Sequence, residues 1–421
     1  MPNPIAIKDA TALYTPRILI PLEALMFHIR RHRTLGAWVR FSALSSIPAS
    51  AADIKTVFVI AMENHNWTQP AQVAGKIQQV YQNPNAPFIN ALVGGTAAAI
   101  INGEAVNISE QTAYAAAYHN VLATPGGNNP QIHPSEPNYL WAEAGTNFGV
   151  LNDNEPFRDP GGTNQNTSLH LSALLQTAGK TWKSYQEDID LTPDASNKLT
   201  NVPLPPDQWT VPLKNRSGVF SSGVNAFNGS SQYDYAAKHN PMVFFTDTNG
   251  GNNPTPSNAL SAQYAPLQQL FIDLANNTVA DYNWITPNQH NDMHTSLTGG
   301  YKGLTGDSAN IKQGDDFLSQ IVPMIMASDA YKNHGVIVLW WDESEGGDTP
   351  SQTLPFIIIS RDARENAGGK PYSNTVAYSH SSFLRTMQEI FRVDPGRGYP
   401  WLGDAMNAND LSDLFRKGAI K

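Results

Sequence analysis

The chain of 421 residues contains no cysteine. That absence excludes disulfides, thiolate-held zinc, iron–sulfur clusters and a thiol nucleophile, so any metal must be held by oxygen and imidazole ligands. Charge is scarce as well: Asp, Glu, Lys and Arg make up 15% of the residues, and the formal net charge is -9. A chain without a basic excess is poorly suited to nucleic acid, whose phosphates are met by clustered Lys and Arg. No apolar run approaches the roughly 18 residues of a membrane-spanning helix.

What the chain does have is apolar and aromatic mass. Hydrophobic residues make up 41%, including nine Trp, 15 Tyr and 16 Phe, with abundant Gly and Asn. That mixture suits a loop-rich globular α/β protein with a sizeable core. The first fifty residues stand apart. From Met26 a basic start, an apolar run over 35–48 interrupted by Arg40, and the small residues 49–52 follow the order of a signal peptide. The same stretch reads equally as an amphipathic N-terminal helix. A leader over 26–52 would make the protein secreted or periplasmic. The expected organisation is an extension over 1–50 and a single domain over 51–421. Within it, 188–238, rich in Pro, Asn, Ser and Gly, forms a lid-like insertion.

Short continuous apolar runs at 56–62, 242–246, 282–286, 335–341 and 354–360 read as strands buried on both faces. Helical patterns at 168–178, 259–276, 316–327 and 381–391 alternate with them. The fold class expected is α/β, a three-layer sandwich around a central, mostly parallel sheet.

Three of these strands run into polar clusters: Glu63-Asn64-His65-Asn66 after the first, residues 287–294 with His290, Asn291, Asp292 and His294 after the third, and Asp342-Glu343 after the fourth. In an open parallel sheet the carboxyl ends of the strands line the ligand crevice, so the clusters are expected to converge. Their carboxylates and the Asn64 carbonyl suit a hard or borderline divalent cation. The alternative for Asp342-Glu343 is a turn cap leading to Gly346-Gly347. A fourth segment, His133 to Trp141, places Ser135 where a helix N-cap would sit, with Pro137 in the first turn and Gly145 as a stop. Such a helix start offers free N–H groups to an anion. A serine there is far more often a cap than a nucleophile.

At these residues the chain resembles the phosphoesterase family of acid phosphatases and phosphatidylcholine-type phospholipases C, within the alkaline-phosphatase-like superfamily. The ordered matches are MENH at 62–65, HPSEPNY at 133–139, WKSYQED at 182–188, KHNP at 238–241, NDMH at 291–294, WDE at 341–343 and YSHSSFLRT at 378–386. Asp153 falls where the family tends to place a short acidic segment. The resemblance implies an alkaline-phosphatase-like fold and a nucleophilic Ser135 that is transiently phosphorylated. It implies one divalent metal ion bound by Glu63, Asn64, Ser135, Asp342 and Glu343. His133, His294 and His380 take proton-transfer or phosphate-contact roles, with His294 the first choice for general acid, and Asn291, Asp292 and His290 are placed toward the substrate. His170, His239 and His334 are read as structural. The function implied first is hydrolysis of small phosphate monoesters, as in an acid phosphatase. A phospholipase C or phosphodiesterase comes second, and a noncatalytic phosphate- or glycan-binding protein third.

Overall fold

A computed structural model describes residues 53–68, 78–121, 132–158, 160–345, 352–366, 370–396 and 398–420; the signal-like segment 26–52 lies outside them. Fourteen strands are formed among the described residues: β1 (Thr56–Met62), β2 (Ala98–Ile101), β3 (Glu104–Asn107), β4 (Thr112–Ala115), β5 (Trp182–Gln186), β6 (Leu191–Pro193), β7 (Leu199–Pro203), β8 (Arg216–Val219), β9 (Gln232–Tyr235), β10 (Tyr264–Pro266), β11 (Tyr282–Thr286), β12 (Gly335–Trp341), β13 (Phe356–Ser360) and β14 (Tyr372–Asn374). The helices are α1 (Pro87–Gly94), α2 (Ser135–Ala144), α3 (Leu171–Thr177), α4 (Leu267–Asn276), α5 (Asp307–Met326), α6 (Asp329–Lys332) and α7 (His380–Phe391).

Eight strands make the central sheet, in the order β10-β5-β11-β1-β12-β13-β4-β14. All neighbours pair in parallel except at β13, which runs antiparallel to both β12 and β4. The sheet is therefore mostly parallel, with one reversed strand. The strands β11, β12 and β13 are buried along their whole length, which is why their sequences are predominantly apolar rather than alternating; the buried Asn283 of β11 is bonded to the Val57 and Ala280 carbonyls. Adjacent residues of β12 face opposite layers. Trp340 packs edge-on against Tyr139 of α2 at 5.2 Å and lies near Phe383 of α7. Trp341 is paired in register with Met62 of β1, and Met62 lies against Gly314 of α5, where even a Cβ would come within 2.9 Å of its methyl. Helices α2, α3 and α7 pack together on one side, and α1, α5 and α6 pack together on the other.

Two expectations are corrected. The apolar run at 242–246 is not a strand: Pro241 opens a 3₁₀ turn over Pro241–Phe244 whose residues are all buried, because proline supplies no ladder N–H. The helical pattern at 259–276 divides into a 3₁₀ turn, edge strand β10 and helix α4. The segment 188–238 carries two hairpins, β6–β7 and β8–β9, and is stitched to the strand ends. Asn225 donates to Glu187 at 2.6 Å, Asn228 to Asn291 at 2.9 Å, and the Asp234 amide to Asp188 at 3.0 Å. No helix among the described residues is long and apolar enough to cross a membrane.

Candidate active site

Because β5, β11, β1 and β12 are parallel neighbours, their carboxyl ends open on one edge of the sheet. Glu63 and Asn64 follow β1, and Asp342 and Glu343 follow β12. Asp342 Oδ1 accepts the Asn64 amide at 3.2 Å, and Glu343 Oε1 accepts the Asn64 side-chain amide at 2.9 Å. Glu343 Oε2 accepts from Asn138 of α2 at 3.1 Å and lies 2.5 Å from His133 Nδ1. Three of the four predicted carboxyl and amide ligands are buried, Asn64 remaining partly open.

Helix α2 delivers the serine. Pro134 takes the N-cap position and Ser135 is the first helical residue, so its side chain does not cap the helix as the sequence suggests. Instead Ser135 Oγ donates to Glu63 Oε2 at 3.0 Å, with Ser135 only 1% exposed. Gly145 ends the helix in the left-handed region at φ 66. A Cβ there would stand 2.6 Å from the Leu402 carbonyl, so the stop also needs glycine for space. One turn after the serine, Tyr139 donates its hydroxyl to Glu63 Oε1. The helix start is not vacant to an anion throughout: the Glu136 amide already donates to Asp153 Oδ1 at 3.0 Å, and Asp153 Oδ2 pairs with Lys238 at 2.9 Å.

The third contribution comes from the KHNP run and the loop after β11. His239, read from sequence as structural, is buried between two acids: Nε2 lies 3.1 Å from Glu63 Oε1 and Nδ1 lies 3.3 Å from Asp292 Oδ2. Neither approach has hydrogen-bond alignment, and His239 Nε2 and Asp292 Oδ2 lack a hydrogen-bond partner. One atom each from Glu63, His239 and Asp292 lie within 4.8 Å of one another, a grouping able to hold a cation. Asp292 thus belongs with the acidic floor rather than with the substrate positions expected for it. The available signal for His239 was its place in KHNP; lying 48 residues before the nearest cluster, 287–294, it had no local pattern of its own.

Burial sets the electrostatics. It pushes the Glu63 carboxyl up to about 8 against the opposing pull of Lys238. Asp342 and Asp292 are raised well above the ordinary aspartate range by burial and by the nearby Glu63 carboxyl. Desolvation, with the charge of Lys238, drives His239 well below the usual imidazole range and holds His294 down to about 4. Burial opposes the charge on Lys238 itself, yet Glu63, Asp153 and Asp342 keep its ammonium more firmly protonated than an ordinary lysine. Asn64 Oδ1 and Asp342 Oδ2 are buried oxygens without a donor, the latter lying against the Glu63 carboxyl. Orphaned oxygens among crowded carboxylates are costly unless a proton or a cation sits between them. The donor set therefore fits a divalent cation.

The remaining predicted residues divide. His133 and His294 are half-buried at the mouth, with His294 Nδ1 bonded to Thr295 Oγ1 at 2.9 Å and its ring 5.9 Å from that of His239. His380 is not presented to the crevice. It is fully buried; Nε2 meets the Asp342 carbonyl, while Nδ1 meets the Tyr118 hydroxyl at 2.9 Å and the Trp340 indole at 3.1 Å. These partners specify the neutral Nε2–H tautomer and make His380 a prop behind Asp342, correcting its catalytic assignment. Asn291 spends its amide on Glu187 at 3.0 Å and its carbonyl on Asn228. His290 bonds the Thr295 carbonyl at 3.0 Å. Both support the loop that carries Asp292 and His294. His170 and His334 pair with acids away from the crevice, as expected of structural residues.

The model of the family described as "Phosphoesterase family" matches residues 128–394, well over half of the chain. A protein of Mycobacterium tuberculosis named phosphatidylinositol-3-phosphatase is 26% identical over 383 residues, covering 90% of this chain and 90% of that protein. An acid phosphatase of Aspergillus fumigatus is 32% identical over 279 residues, 64% of this chain and 47% of its own length. A phosphate-repressible acid phosphatase of Penicillium chrysogenum is 24% identical over 226 residues, 54% and 42% respectively. The chain thus spans most of the mycobacterial relative and under half of these two fungal ones.

Proposed function

The chain belongs to the Phosphoesterase family, and on that premise of phosphoric ester hydrolysis we propose that it cleaves phosphate monoesters as an acid phosphatase does. In this reading Ser135 is the nucleophile, and Glu63, Asn64, Asp342 and Glu343 hold one divalent cation beside it. The observation that carries the reading is the hydrogen bond from Ser135 Oγ to Glu63 Oε2 on the floor of the crevice. Pro134 already holds the N-cap position, so the serine oxygen has no capping duty and is committed to the acid that follows β1.

A divalent cation, when bound, supplies charge that favours the serine alkoxide and offsets the negative charge of the phosphoryl oxygens. The residues of the chain do the rest. Glu63 fixes the direction of Oγ and, through the oxygen that already accepts its hydrogen bond, takes the serine proton as Oγ attacks. The Ser135 oxygen attacks phosphorus while the ester oxygen leaves on the opposite side, and a water molecule later hydrolyses the phosphoserine. His294, half-buried beside His239, delivers a proton to the leaving oxygen. Its imidazole is held neutral above about pH 4 by burial and Lys238, so the arriving phosphate anion must raise its proton affinity for that step.

Turnover of p-nitrophenyl phosphate, bis-p-nitrophenyl phosphate and p-nitrophenyl phosphorylcholine, before and after chelation, tests the reading. Monoester turnover that disappears with the metal is the expected result. Turnover confined to the diester or to phosphorylcholine would shift the assignment to a phosphodiesterase or phospholipase C, and silence on all three would leave a binding protein.

A further inference from the structure

We propose that Lys238, held by Asp153, is the residue that makes this site favour a phosphomonoester dianion over a phosphodiester, by contacting the additional terminal oxygen. The inference rests on the phosphatase reading and refines it.

Lys238 lies in the 3₁₀ turn Ala237–His239, immediately before the histidine that sits between Glu63 and Asp292. The turn is anchored: the Ala237 amide donates to Asn215 Oδ1 at 2.8 Å, and His239 is buried. The ammonium is 2.9 Å from Asp153 Oδ2, and the other oxygen of that carboxylate accepts the Glu136 amide at 3.0 Å. Glu136 is the neighbour of Ser135, so one carboxylate ties the lysine to the first turn of the nucleophile's helix. The Lys238 side chain is only 13% exposed. Its charge acts on Glu63 and Asp292 at the floor and on His239 and His294 around it.

An exposed salt bridge contributes little, but the Lys238 side chain is withdrawn from solvent. This one brings a desolvated cation to the edge of an acidic floor. With a divalent cation bound, four ionised acids, Glu63, Asp292, Asp342 and Glu343, would still outweigh its two charges, so any phosphoryl group must approach a floor of surplus negative charge. Near pH 7 a monoester has lost its second proton, whose pKa is about 6, and carries two charges; a diester carries one and replaces a terminal oxygen with an ester oxygen. The additional charge of the monoester needs a fixed positive partner, and a partly buried ammonium acts more strongly there than it would in water. Asp153 acts as the positioning residue, aiming Lys238 rather than meeting substrate.

The test compares wild type, Lys238→Met and Lys238→Arg at pH 7 on p-nitrophenyl phosphate and bis-p-nitrophenyl phosphate. Inorganic phosphate binding is followed by calorimetry, and folding is checked by thermal unfolding. Loss of a preorganised charge contact costs about 10²–10³-fold. Lys238→Met is thus expected to lose about 100-fold or more in kcat/KM on the monoester and less than about 10-fold on the diester. Its phosphate affinity is expected to fall at least about 10-fold, and Lys238→Arg to keep most of the preference. Equal losses on both substrates, or unchanged phosphate affinity in a folded Lys238→Met protein, overturn the assignment of Lys238 while leaving the phosphatase reading intact. Wild-type protein that neither turns over the monoester nor binds phosphate overturns both.

Discussion

Tyr139 donates its hydroxyl to Oε1 of Glu63, the carboxylate whose other oxygen accepts from Ser135. Two side chains one helical turn apart thus grip a single acid from the neighbouring strand, and the orientation of the serine oxygen depends on both contacts. Tyr139→Phe keeps the ring stacked at 5.3 Å on His239 but removes the hydroxyl. A buried acceptor deprived of its donor costs about 1–3 kcal/mol. The expected outcome is that loss in urea unfolding, with kcat reduced and KM little changed. A wild-type kcat would show that the aim of Glu63 does not depend on this bond.

Ser135→Ala removes the nucleophile and leaves the acidic floor in place. Turnover is expected to vanish, with thermal unfolding and metal content close to wild type. Acid quenching of the wild-type reaction is expected to trap phosphate on the peptide containing Ser135. More than a few per cent of residual activity would refute the covalent route.

Two overlapping donor groups are available for a cation. Glu63, Asn64, Asp342 and Glu343 form one, and Glu63, His239 and Asp292 the other. Elemental analysis of Asp342→Asn, His239→Ala and Glu63→Gln separates them. Loss of metal in Asp342→Asn and Glu63→Gln, with retention in His239→Ala, supports the first group. Retention in Asp342→Asn alone moves the ion to the second.

Removing the cation exposes the raised acids to titration. Glu63 is pushed up to about 8 by burial, and Asp292 and Asp342 are raised as well. Between the ordinary carboxylate range near 4.5 and pH 8 the folded, metal-free protein therefore holds protons that the unfolded chain has released. Its stability must fall as pH rises through that window. Chelated protein is expected to melt at progressively lower temperature from pH 5 to pH 8, and added divalent cation to recover most of the loss at pH 8. Parallel melting curves with and without chelator would place the cation away from these acids.

His294 is tested through the leaving group. An alkoxide needs a proton to depart, whereas p-nitrophenolate leaves well without one, and loss of a general acid costs about 10²–10⁴-fold where the proton is needed. His294→Ala is expected to damage hydrolysis of an alkyl phosphate far more than that of p-nitrophenyl phosphate. Equal losses reject the acid assignment and direct the comparison to His133, the other histidine at the mouth.

Sequence patterning revealed the middle of the sheet because β1, β11 and β12 are covered on both faces and their sequences are predominantly apolar, with Asn283 the one polar residue inside β11. It did not reveal β5, whose WKSYQ sequence hides a buried strand. Lys183 reaches Asp273 at 2.9 Å, while Ser184 donates to Asn240 and the Gln186 amide donates to Thr286, so polar residues meet across the packing in pairs that no periodicity announces. The site was legible where chemistry followed directly on a strand, as at Glu63 and Asp342. It was not legible where tertiary packing decided the direction of a ring. His239 enters the acidic floor from a 3₁₀ turn, and His380 turns away from the crevice to prop the Asp342 carbonyl.

All ten residues of α2 are buried, so the nucleophile's helix has no free flank. Its amide hydrogens are expected to exchange with solvent only when the whole sheet opens, among the slowest in the molecule. Accommodation of leaving groups of different bulk then falls to Asp153, Lys238 and His294, which stand on turns and loops rather than on the helix.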